Sequence, residues 1–342
     1  MLDICYYSSD YYAPYTGISM YSLLNNNYNL DIRLHCIDFN ISKENKIKMS
    51  NLAKHYKKEL FFHEANKIES IIRDEMQLPD CNGSYATYIK FFPELFFSKS
   101  DKLLFIDGDT IIDGSIQELV DMDMSEYIFS AVRVSLINES WIYKENDPNN
   151  LRYIYSLKFH DTGYYNIGIF LVNPQKWKEL NFGQRIIDEM SEHLELISKV
   201  DDIPIDEMLL NLAAQKSDII SRVYSLSTVY NCIAHNIPFS RAVKVNQLCG
   251  YIDMDDFKKG YFNPIIIHFC IFKPWFTDTF SRFYYLVDKY RRESPWPDAF
   301  TMKKYKSISQ KIYSRFFYPM ENESIIYIGK KIWKVIQAWK NK

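Results

Sequence analysis

The chain has 342 residues, of which 47% are apolar and 25% charged, and its mean hydropathy is −0.28. A chain of this length and composition can bury a large core, in one big domain or two moderate ones. It has no apolar run near the ~18 residues of a transmembrane helix, and its first residues lack the basic and apolar parts of a signal peptide. We therefore expect a globular protein of the cytoplasm.

The cysteines and the charges add two expectations. Six cysteines stand at positions 5, 36, 81, 232, 249 and 270 without any CxxC pair, so we expect reduced thiols rather than disulfides. The net charge of −2 conceals an asymmetry, because residues 302–342 hold ten Lys/Arg and two acidic residues. This tail therefore carries +8 and the remaining 301 residues carry −10. A basic tail on an acidic body indicates a binding partner for the tail.

The first hundred residues alternate between strand and helix patterns. Apolar runs predict strands at 2–9, 31–38, 58–64 and 102–106. Helical patterns between them predict helices at 14–27, 42–56, 66–76 and 84–97. Ser42 is the predicted cap of the second helix, and Pro93 is expected to kink the fourth. This alternation indicates parallel βαβ units, so the predicted fold class is α/β with a doubly wound, mostly parallel sheet flanked by helices.

The second half of the chain has a looser pattern. Further strands are predicted at 128–135, 164–173 and 263–269, and one long helix is predicted at 174–199 with Pro174 in its first turn. The basic and aromatic end of the chain has the pattern of a helical appendage. We therefore divide the chain into a domain at 1–280 and a C-terminal helical region at 281–342.

A pair of aspartates follows the strand in KLLFIDGDT. Asp107 and Asp109 stand where ligands bind in open α/β sheets, beyond the carboxyl end of a strand. Two close carboxylates repel each other, and a divalent cation relieves that repulsion. Gly108 between them would allow a ligand or another backbone to approach closely. Two other acidic pairs, Asp121–Asp123 and Asp201–Asp202, follow helix-like sequence and are expected to be solvated surface groups.

Local context leaves two chemistries open for this pair. In an aspartate-nucleophile phosphatase, Asp107 would attack phosphorus and Asp109 would act as acid and base. In a nucleotide-sugar transferase, both carboxylates would hold a metal ion against a diphosphate. The phosphatase pattern requires the pair on the first strand, whereas 106 residues precede Asp107 here.

Several further stretches together resemble glycosyltransferase family 8, which includes bacterial lipopolysaccharide galactosyl- and glucosyltransferases and relatives of glycogenin. In chain order, these stretches are SSDYYA, SYATYIK, KLLFIDGDT, YYNIGIFLVNPQKW, PIDEMLLN and IIIHFCIFKPW. The resemblance extends from about Leu2 to Trp275. It implies the GT-A nucleotide-diphospho-sugar transferase fold and transfer of a sugar from UDP with retention of configuration, using manganese.

The resemblance assigns the carboxylates of Asp107 and Asp109 and the imidazole of His268 to one metal ion. Lys273, in the KPW that follows, is assigned to the phosphates of the donor. An imidazole beside two carboxylates and diphosphate oxygens favours Mn²⁺, while Mg²⁺, which prefers oxygen ligands, remains the alternative. The family usually has a glycine in this loop, where this chain has Ile271 and is one residue shorter.

SSDYYA is similar to the family's nucleotide-binding turn, which assigns Ser9, Asp10 and Tyr12 to the nucleotide. Many bacterial members have an aspartate at the position of Ser9. SYATYIK is similar to the segment whose arginine contacts the diphosphate or the donor sugar, and here this residue is Lys90, which keeps the charge but lacks the bidentate geometry. The alternatives are core packing for Tyr12 and a solvated helix surface for Lys90.

YYNIGIFLVNPQKW is similar to the stretch that lines the donor-sugar pocket, which assigns Asn166 to the sugar and Gly168 to close approach. In PIDEMLLN, counting back from the Leu-Asn pair makes Asp206 match the family. Glu207 then stands where the family has a glutamine near the reacting carbon, and Met208 replaces an aspartate. We expect Glu207 to stabilise the oxocarbenium-like sugar or to attack it. Core and capping roles on a helix are the alternative.

The tail at 302–342 combines Lys/Arg with Trp, Tyr and Ile at roughly helical spacing. Such segments are typical of proteins that bind an anionic membrane surface. Related lipopolysaccharide transferases have similar tails, so a glycan or a lipid-linked oligosaccharide is the expected acceptor, at the inner face of the membrane. A basic helix packed on the acidic body is the alternative, and no nucleic acid is expected.

The predicted function is therefore retaining transfer of galactose or glucose from a UDP-sugar, in the synthesis of lipopolysaccharide or another surface glycan. Because five positions depart from the family's pattern, a UDP-sugar-binding protein without turnover is the main alternative. Those positions are Ser9, Lys90, Glu207, Met208 and Ile271.

Overall fold

The protein is described here by a computed structural model. The described residues are 1–75, 85–134, 163–197, 205–234, 243, 253–270, 273–275 and 283–300. Three features singled out in the sequence lie outside them, namely Asp201–Asp202, Ile271 and the basic tail at 302–342.

The described residues form two β-sheets. The strands are β1 (Leu2–Ser9), β2 (Ile32–Phe39), β3 (Leu60–Glu64), β4 (Leu103–Ile106), β5 (Thr110–Ile112), β6 (Phe129–Val134), β7 (Tyr164–Val172), β8 (Val223–Leu226), β9 (Cys232–Ile233) and β10 (Ile266–His268). The larger sheet has the order β3-β2-β1-β4-β7-β6-β8, and the smaller has the order β5-β10-β9. In the larger sheet only β7 runs antiparallel to its neighbours, β4 and β6. The predicted α/β class with a mostly parallel sheet is therefore confirmed.

Helices flank this sheet. They are α1 (Ala13–Asn26), α2 (Lys43–His55), α3 (Ala65–Ser70), α4 (Pro93–Phe97), α5 (Gln117–Asp121), α6 (Pro174–Glu179), α7 (Phe182–Ile197), α8 (Ile205–Ala214), α9 (Met254–Phe262) and α10 (Tyr284–Glu293). Ser42 caps α2 as predicted, because its hydroxyl accepts the backbone N–H of Asn45. Within the described ranges, no helix combines the length and apolar content that crossing a bilayer requires.

β4 lies at the centre of the larger sheet and is buried on both faces. Leu104 and Ile106 pack into one core cluster, while Leu103 and Phe105 pack into the cluster on the opposite face. This alternation is the period-two side-chain pattern of a strand. Burial on both faces explains why the strand is apolar throughout, and it fixes the position at which the chain emerges with Asp107.

One local prediction was wrong, and one strand was not predicted. The single helix predicted at 174–199 is broken, because Leu180 ends α6 and Asn181 adopts a left-handed conformation with φ 49° before α7 begins. The ring of Phe182 then packs edge-on against Trp177 at 4.6 Å between centroids. The looser pattern after Asp109 conceals β5, a three-residue strand that pairs antiparallel with β10.

The segment at 283–300 packs against the first helix of the protein. Tyr290 and Trp296 belong to the main core cluster, and the Trp296 ring occupies the space beside Gly17 in α1. The Tyr290 hydroxyl also accepts a hydrogen bond from Asn26 of α1 at 2.8 Å. The predicted boundary between residues 280 and 281 remains a prediction, but α10 itself shares its core with the preceding residues.

Candidate active site

The candidate site lies where β4 and β7 of the larger sheet meet β10 of the smaller one. The Asp107 N–H donates to the Gly168 carbonyl at 2.9 Å, which ties the residue after β4 to β7. The Phe269 N–H donates to the Asp109 carbonyl at 2.9 Å, which ties the next turn to β10. Backbone pairing thus brings three distant segments together, and it places His268 beside both aspartates.

Three side chains in this site face one another. The Nε2 atom of His268 lies 3.3 Å from Asp109 Oδ1 and 3.6 Å from Asp107 Oδ2. One ligand atom from each residue lies within 4.8 Å of the others, an arrangement that could hold a metal ion. The sequence assigned the same three residues to one ion, and the structure brings them together.

The second oxygen of Asp107 is held by the protein. Its Oδ1 accepts hydrogen bonds from the Tyr7 hydroxyl at 2.7 Å and from Lys90 Nζ at 2.8 Å. Lys90 is 2% exposed and also donates to the Ile167 carbonyl at 2.9 Å. Burial disfavours its charge, but Asp107 and Asp206 together raise the pKa of Lys90. The predicted phosphate contact of Lys90 remains a prediction, while its described contacts orient Asp107.

The second oxygen of Asp109 is held in a similar way. Lys273 Nζ lies 2.7 Å from Asp109 Oδ2 and donates to the Tyr12 hydroxyl, also at 2.7 Å. Burial opposes the charge of Asp109, but His268 and Lys273 hold the pKa of this carboxyl well below its usual range. Each aspartate therefore presents one oxygen to His268 and gives its other oxygen to a lysine.

A polar chain leads from His268 to Glu207. His268 Nδ1 lies 3.2 Å from Asn231 Oδ1, and Asn231 Nδ2 donates to Asn166 Oδ1 at 2.6 Å. Asn166 Nδ2 in turn donates to Glu207 Oε2 at 2.7 Å. The Ile167 N–H donates to the same oxygen at 3.2 Å. Asn231, which no sequence motif singled out, thus connects the candidate metal site with the predicted sugar pocket.

Helix α8 presents two carboxyls to the site. Burial, aided by the neighbouring Asp206, raises the pKa of Glu207 to about 7. Burial likewise raises the pKa of Asp206, although Lys90 opposes this shift. The helix is fixed to β7 by Asn211, whose side chain exchanges hydrogen bonds with the Tyr165 backbone at 2.7 and 2.8 Å. The asparagine of the Leu-Asn pair, from which the positions of Asp206 and Glu207 were counted, therefore fixes α8 to β7.

The turn after β1 lies beside Lys273. Ser9 Oγ accepts the Tyr12 N–H at 3.4 Å. Asp10 Oδ1 accepts from the Ser42 N–H and from Asn45 Nδ2, both at 2.8 Å, so this oxygen holds the start of α2. In the same region, the ring of Trp275 stacks on Tyr15 at 4.4 Å between centroids. Nucleotide contacts of Ser9, Asp10 and Tyr12 remain predictions.

Side chains of the protein fill the space beside both predicted close-approach glycines. A Cβ at Gly108 would lie 2.4 Å from Thr16 Oγ1. A Cβ at Gly168 would lie 2.1 Å from Cε1 of the His268 ring. In this structure the absence of a side chain at Gly168 therefore makes room for the imidazole.

A second pair of aspartates and a second cluster of possible metal ligands have different surroundings from this site. Asp121 and Asp123 are exposed, as predicted, and Asp123 accepts the Ser125 N–H at 2.9 Å. A second cluster of possible metal ligands consists of Glu189, Glu192 and His193, but Lys216 already pairs with Glu189 there. Among the described residues, the acidic pair after β4 thus combines burial, an imidazole and two lysines.

Comparisons with known proteins identify relatives of this chain. The chain is 31% identical over 192 residues to a Haemophilus influenzae relative, covering 56% of this chain and 54% of the relative. It is 26% identical over 199 residues to the Salmonella typhimurium lipopolysaccharide 1,3-galactosyltransferase, covering 57% and 54%. It is also 25% identical over 283 residues to the Escherichia coli lipopolysaccharide glucosyltransferase WaaO, covering 80% and 72%. The chain thus spans about half the length of the first two relatives.

Solved structures share the fold. The galactosyltransferase LgtC, in complex with donor and acceptor sugar analogues, superposes with a TM-score of 0.61 at 20% identity, covering 86% of this chain and 96% of that chain. The glycosyltransferase GlyE of Streptococcus pneumoniae superposes with a TM-score of 0.55 at 18% identity, covering 87% and 63%. This fold is the GT-A glycosyltransferase fold. The profile of Glycosyl transferase family 8 matches residues 3–279, so this chain belongs to glycosyltransferase family 8.

Proposed function

We propose that this chain is a retaining hexosyltransferase that moves galactose or glucose from a UDP-sugar to a glycan or lipid-linked oligosaccharide. The proposed role is in the synthesis of lipopolysaccharide or another surface glycan. Family membership supports glycosyl transfer and removes the aspartate-nucleophile phosphatase from consideration. Two relatives are named as a lipopolysaccharide galactosyltransferase and a lipopolysaccharide glucosyltransferase, which supports the choice of sugars and acceptor.

One observation carries the proposal. Asp107, Asp109 and His268 converge from segments more than 150 residues apart, and each presents a ligand atom to the same point. Lys273 pairs with Asp109, and Asn166 is linked to His268 through Asn231. A diphosphate beside the lysine and a sugar beside the amide would together fill the site in the order of a UDP-sugar.

The donor set fits a divalent cation. Two carboxylate oxygens and one imidazole nitrogen are available, and this mixed set suits Mn²⁺, with Mg²⁺ as the second choice. In the structure Lys273 supplies the positive charge beside Asp109. When bound, the cation would supply Lewis-acid stabilisation of the negative charge that develops on the diphosphate.

The lysines of the site would act on the leaving group in different ways. Lys273 is one-quarter exposed at its side chain and shares its ammonium between Asp109 and Tyr12, so it can turn toward a bound phosphate. Its positive charge would then stabilise UDP as it departs. Lys90 is buried under Asp107, where it would hold that carboxylate in place and contribute a positive field.

Glu207 would act on the sugar side. It is buried, and two hydrogen bonds hold its Oε2 in place, so its direction is fixed by Asn166 and the Ile167 backbone. In its ionised form it would stabilise the oxocarbenium-like sugar, or form a bond to the anomeric carbon as UDP leaves. As a stabiliser, Glu207 would cover the face opposite UDP, so that the acceptor oxygen adds on the face that UDP left. As a nucleophile, it would bond to the anomeric carbon from the opposite face, and the acceptor oxygen would then displace the carboxylate while its proton passes to the departed diphosphate. Both routes retain the configuration.

UDP release from a panel of UDP-sugars with Mn²⁺ present tests this proposal. We expect release from UDP-galactose or UDP-glucose in the presence of an acceptor, and NMR of the product should show a retained anomeric configuration. Binding without release, with every acceptor tried, would favour the non-catalytic alternative. That alternative has one supporting observation, which is that Met208, 1% exposed, places an apolar side chain where the family has a carboxylate. An inverted product would contradict the proposal.

We further propose that residues 302–342 bind an anionic membrane surface and bring the enzyme to a lipid-linked acceptor. The support is the charge of +8 in this segment together with its interspersed aromatic residues. Flotation with vesicles that contain anionic lipid should be strong for the full chain and weak after deletion of 302–342. Equal flotation of both proteins would contradict membrane binding by this segment.

A further inference from the structure

Backbone geometry determines the direction of every hydrogen bond in the polar chain behind His268. The Gly168 N–H donates to one side-chain atom of Asn166 at 3.0 Å. A backbone N–H can only donate, so this atom is the carbonyl oxygen, Oδ1. The amide nitrogen of Asn166 therefore faces Glu207, whose Oε2 accepts at 2.7 Å.

The same reasoning orients Asn231. Its side-chain atom nearest to Asn166 lies 2.6 Å from Asn166 Oδ1, and two amide oxygens at this distance would repel each other. This atom is therefore Nδ2, and the carbonyl oxygen of Asn231 faces His268 Nδ1 at 3.2 Å. An amide oxygen can only accept, so Nδ1 carries a proton in the hydrogen-bonded ring.

The position of that proton decides what His268 can bind. A neutral imidazole carries one ring proton, and with the proton on Nδ1 the lone pair is on Nε2. Nε2 is the atom that lies 3.3 Å from Asp109 and 3.6 Å from Asp107. The buried amides therefore place a proton on Nδ1. Without a cation, the two carboxylates also favour a proton on Nε2. A cation bound at this point would take the place of the Nε2 proton and use the lone pair of the Nδ1–H tautomer.

We propose that Asn231 is a positioning residue that fixes the tautomer and the ring orientation of His268 for metal binding. This inference rests on the proposed function, since it concerns the same metal site. Asn231 and His268 are each 2% exposed, so water does not replace the amide as the partner of Nδ1. Partners in this outer position typically change metal affinity by about 10- to 100-fold.

The sequence concealed this role. Asn231 lies between the short helical turn Thr228–Tyr230 and the two-residue strand β9, and it belongs to none of the stretches that carry the family resemblance. Parallel pairing of β9 with β10 aligns Ile233 with His268, and this register holds the asparagine close to the imidazole. The sequence shows only a polar residue directly before the short apolar pair Cys232–Ile233, and its burial follows from the fold.

The test uses the full-length chain labelled with ¹⁵N-histidine and saturated with Mg²⁺, which is diamagnetic, so that a cation rather than a proton stands between Nε2 and the two carboxylates. Long-range ¹H–¹⁵N correlation reports which ring nitrogen carries the proton, and the variant His268→Gln assigns the signal among the seven histidines. We expect the proton of His268 on Nδ1. A proton on Nε2 in the wild-type chain would overturn the proposal without any variant being made.

Two substitutions then separate positioning from packing. Asn231→Leu removes the acceptor, and we expect the Nδ1–H form to lose its dominance and the affinity for Mn²⁺ to fall by about 10- to 100-fold. Asn231→Asp keeps an acceptor toward Nδ1 but replaces the donor to Asn166 Oδ1 with an oxygen. We therefore expect it to be less stable than the wild type, to retain the tautomer, and to bind Mn²⁺ more tightly than Asn231→Leu. Free Mn²⁺ measured by electron paramagnetic resonance gives the affinities. Equal affinity of Asn231→Leu and the wild type would overturn the proposal.

Asn173→Leu is the matched control. Asn173 is also a buried asparagine, but it caps α6 by accepting the N–H groups of Gln175 and Lys176. We expect this variant to lose stability while its Mn²⁺ affinity and the His268 tautomer stay as in the wild type. Neither readout requires turnover, so a failed search for a sugar donor leaves this test independent of the proposed reaction.

Discussion

Two Asp-x-Asp pairs lie only 14 residues apart, and the protein uses them differently. Asp107 and Asp109 emerge from a fully buried strand between an imidazole and two lysines. Asp121 and Asp123 lie at the end of the short helix α5, exposed to solvent. A lysine lies near this second pair as well, but Lys102 donates to the carbonyls of Val120 and Met122.

The comparison shows that spacing alone does not make a site. Water stabilises the second pair, so it needs no partners from elsewhere in the chain. The first pair is largely withdrawn from water, and its charge is stable only because each carboxylate has a lysine on one oxygen. The remaining oxygens face His268, and a cation would complete their coordination.

The largest expected difference between the two pairs is in turnover after one carboxylate of each is removed. Asp109→Asn removes a proposed metal ligand, and we expect turnover to fall by about 1,000-fold, the loss of several kcal/mol of metal-dependent stabilisation. Asp123→Asn should leave turnover within about twofold, since surface substitutions away from a site have small effects. UDP release measures both variants. A similar loss in both, or in neither, would break the distinction between the pairs.

The lysines provide a second comparison. Lys90→Met leaves Asp107 without its buried partner, and we expect a loss of about 3–5 kcal/mol in the free energy of unfolding together with weaker Mn²⁺ binding. Lys102→Met removes hydrogen bonds to two carbonyls near the surface pair, and we expect a loss of about 1 kcal/mol without an effect on Mn²⁺. Urea denaturation measures the first quantity. Equal losses would mean that Lys90 is no more than a packing residue.

Two glycines, one beside His268 and one away from the site, should differ less strongly in their effect on Mn²⁺ affinity. In Gly168→Ala the new methyl would overlap the His268 ring, and we expect Mn²⁺ affinity to fall by about 10-fold as the imidazole is displaced. Gly114→Ala is the control, because its methyl would meet Ile265 at 3.3 Å. Calorimetric titration with Mn²⁺ compares the two proteins. Unchanged affinity in Gly168→Ala would show that the ring position is not important for the metal.

The raised pKa of Glu207 predicts an effect on stability that depends on pH. Below about pH 4.5, the ordinary pKa of a glutamate, folded and unfolded chains are both protonated, and Glu207→Gln changes little. As the pH rises toward 7, the unfolded chain ionises first, so the wild type loses stability that the variant retains. We expect Glu207→Gln to gain about 2 kcal/mol on the wild type between pH 5 and pH 8. A gain that is independent of pH would contradict the raised pKa.

The same variant addresses the chemistry. If Glu207 attacks the anomeric carbon or stabilises the sugar cation by its charge, Glu207→Gln should slow turnover while leaving Mn²⁺ affinity unchanged. Asp123→Asn is again the control for a surface carboxyl. Turnover of Glu207→Gln equal to that of the wild type would remove any nucleophilic role.

Much of the fold could be predicted from local pattern. β1, β2 and β4 are apolar runs of ordinary length, and Ser42 is a strong helix cap, so their positions follow from short-range chemistry. The break at Asn181 could not be predicted, because the helical periodicity continues on both sides of one left-handed residue. β5 could not be predicted for a different reason. Its three residues are too few to show the alternation of a strand, and it is stabilised by pairing with β10, which is distant in sequence.

The site divides in the same way. The grouping of Asp107, Asp109 and His268 could be inferred from motifs that end strands, since strand ends converge in this class of fold. The hydrogen bond from Tyr7 and the buried position of Asn231 could not, because both depend on long-range packing of side chains. The sequence therefore named the three side chains of the candidate metal site, and the structure added neighbours that hold them in place.

The central claim concerns one cation between three side chains, and a crystal structure of the chain grown with Mn²⁺ and UDP tests it most directly. Anomalous scattering would locate the ion. We expect a single site coordinated by Asp107, Asp109 and Nε2 of His268, with the diphosphate on the same ion and Lys273 turned from Asp109 toward the phosphates. An ion that contacts neither Asp109 nor His268, or a nucleotide bound elsewhere, would contradict the account.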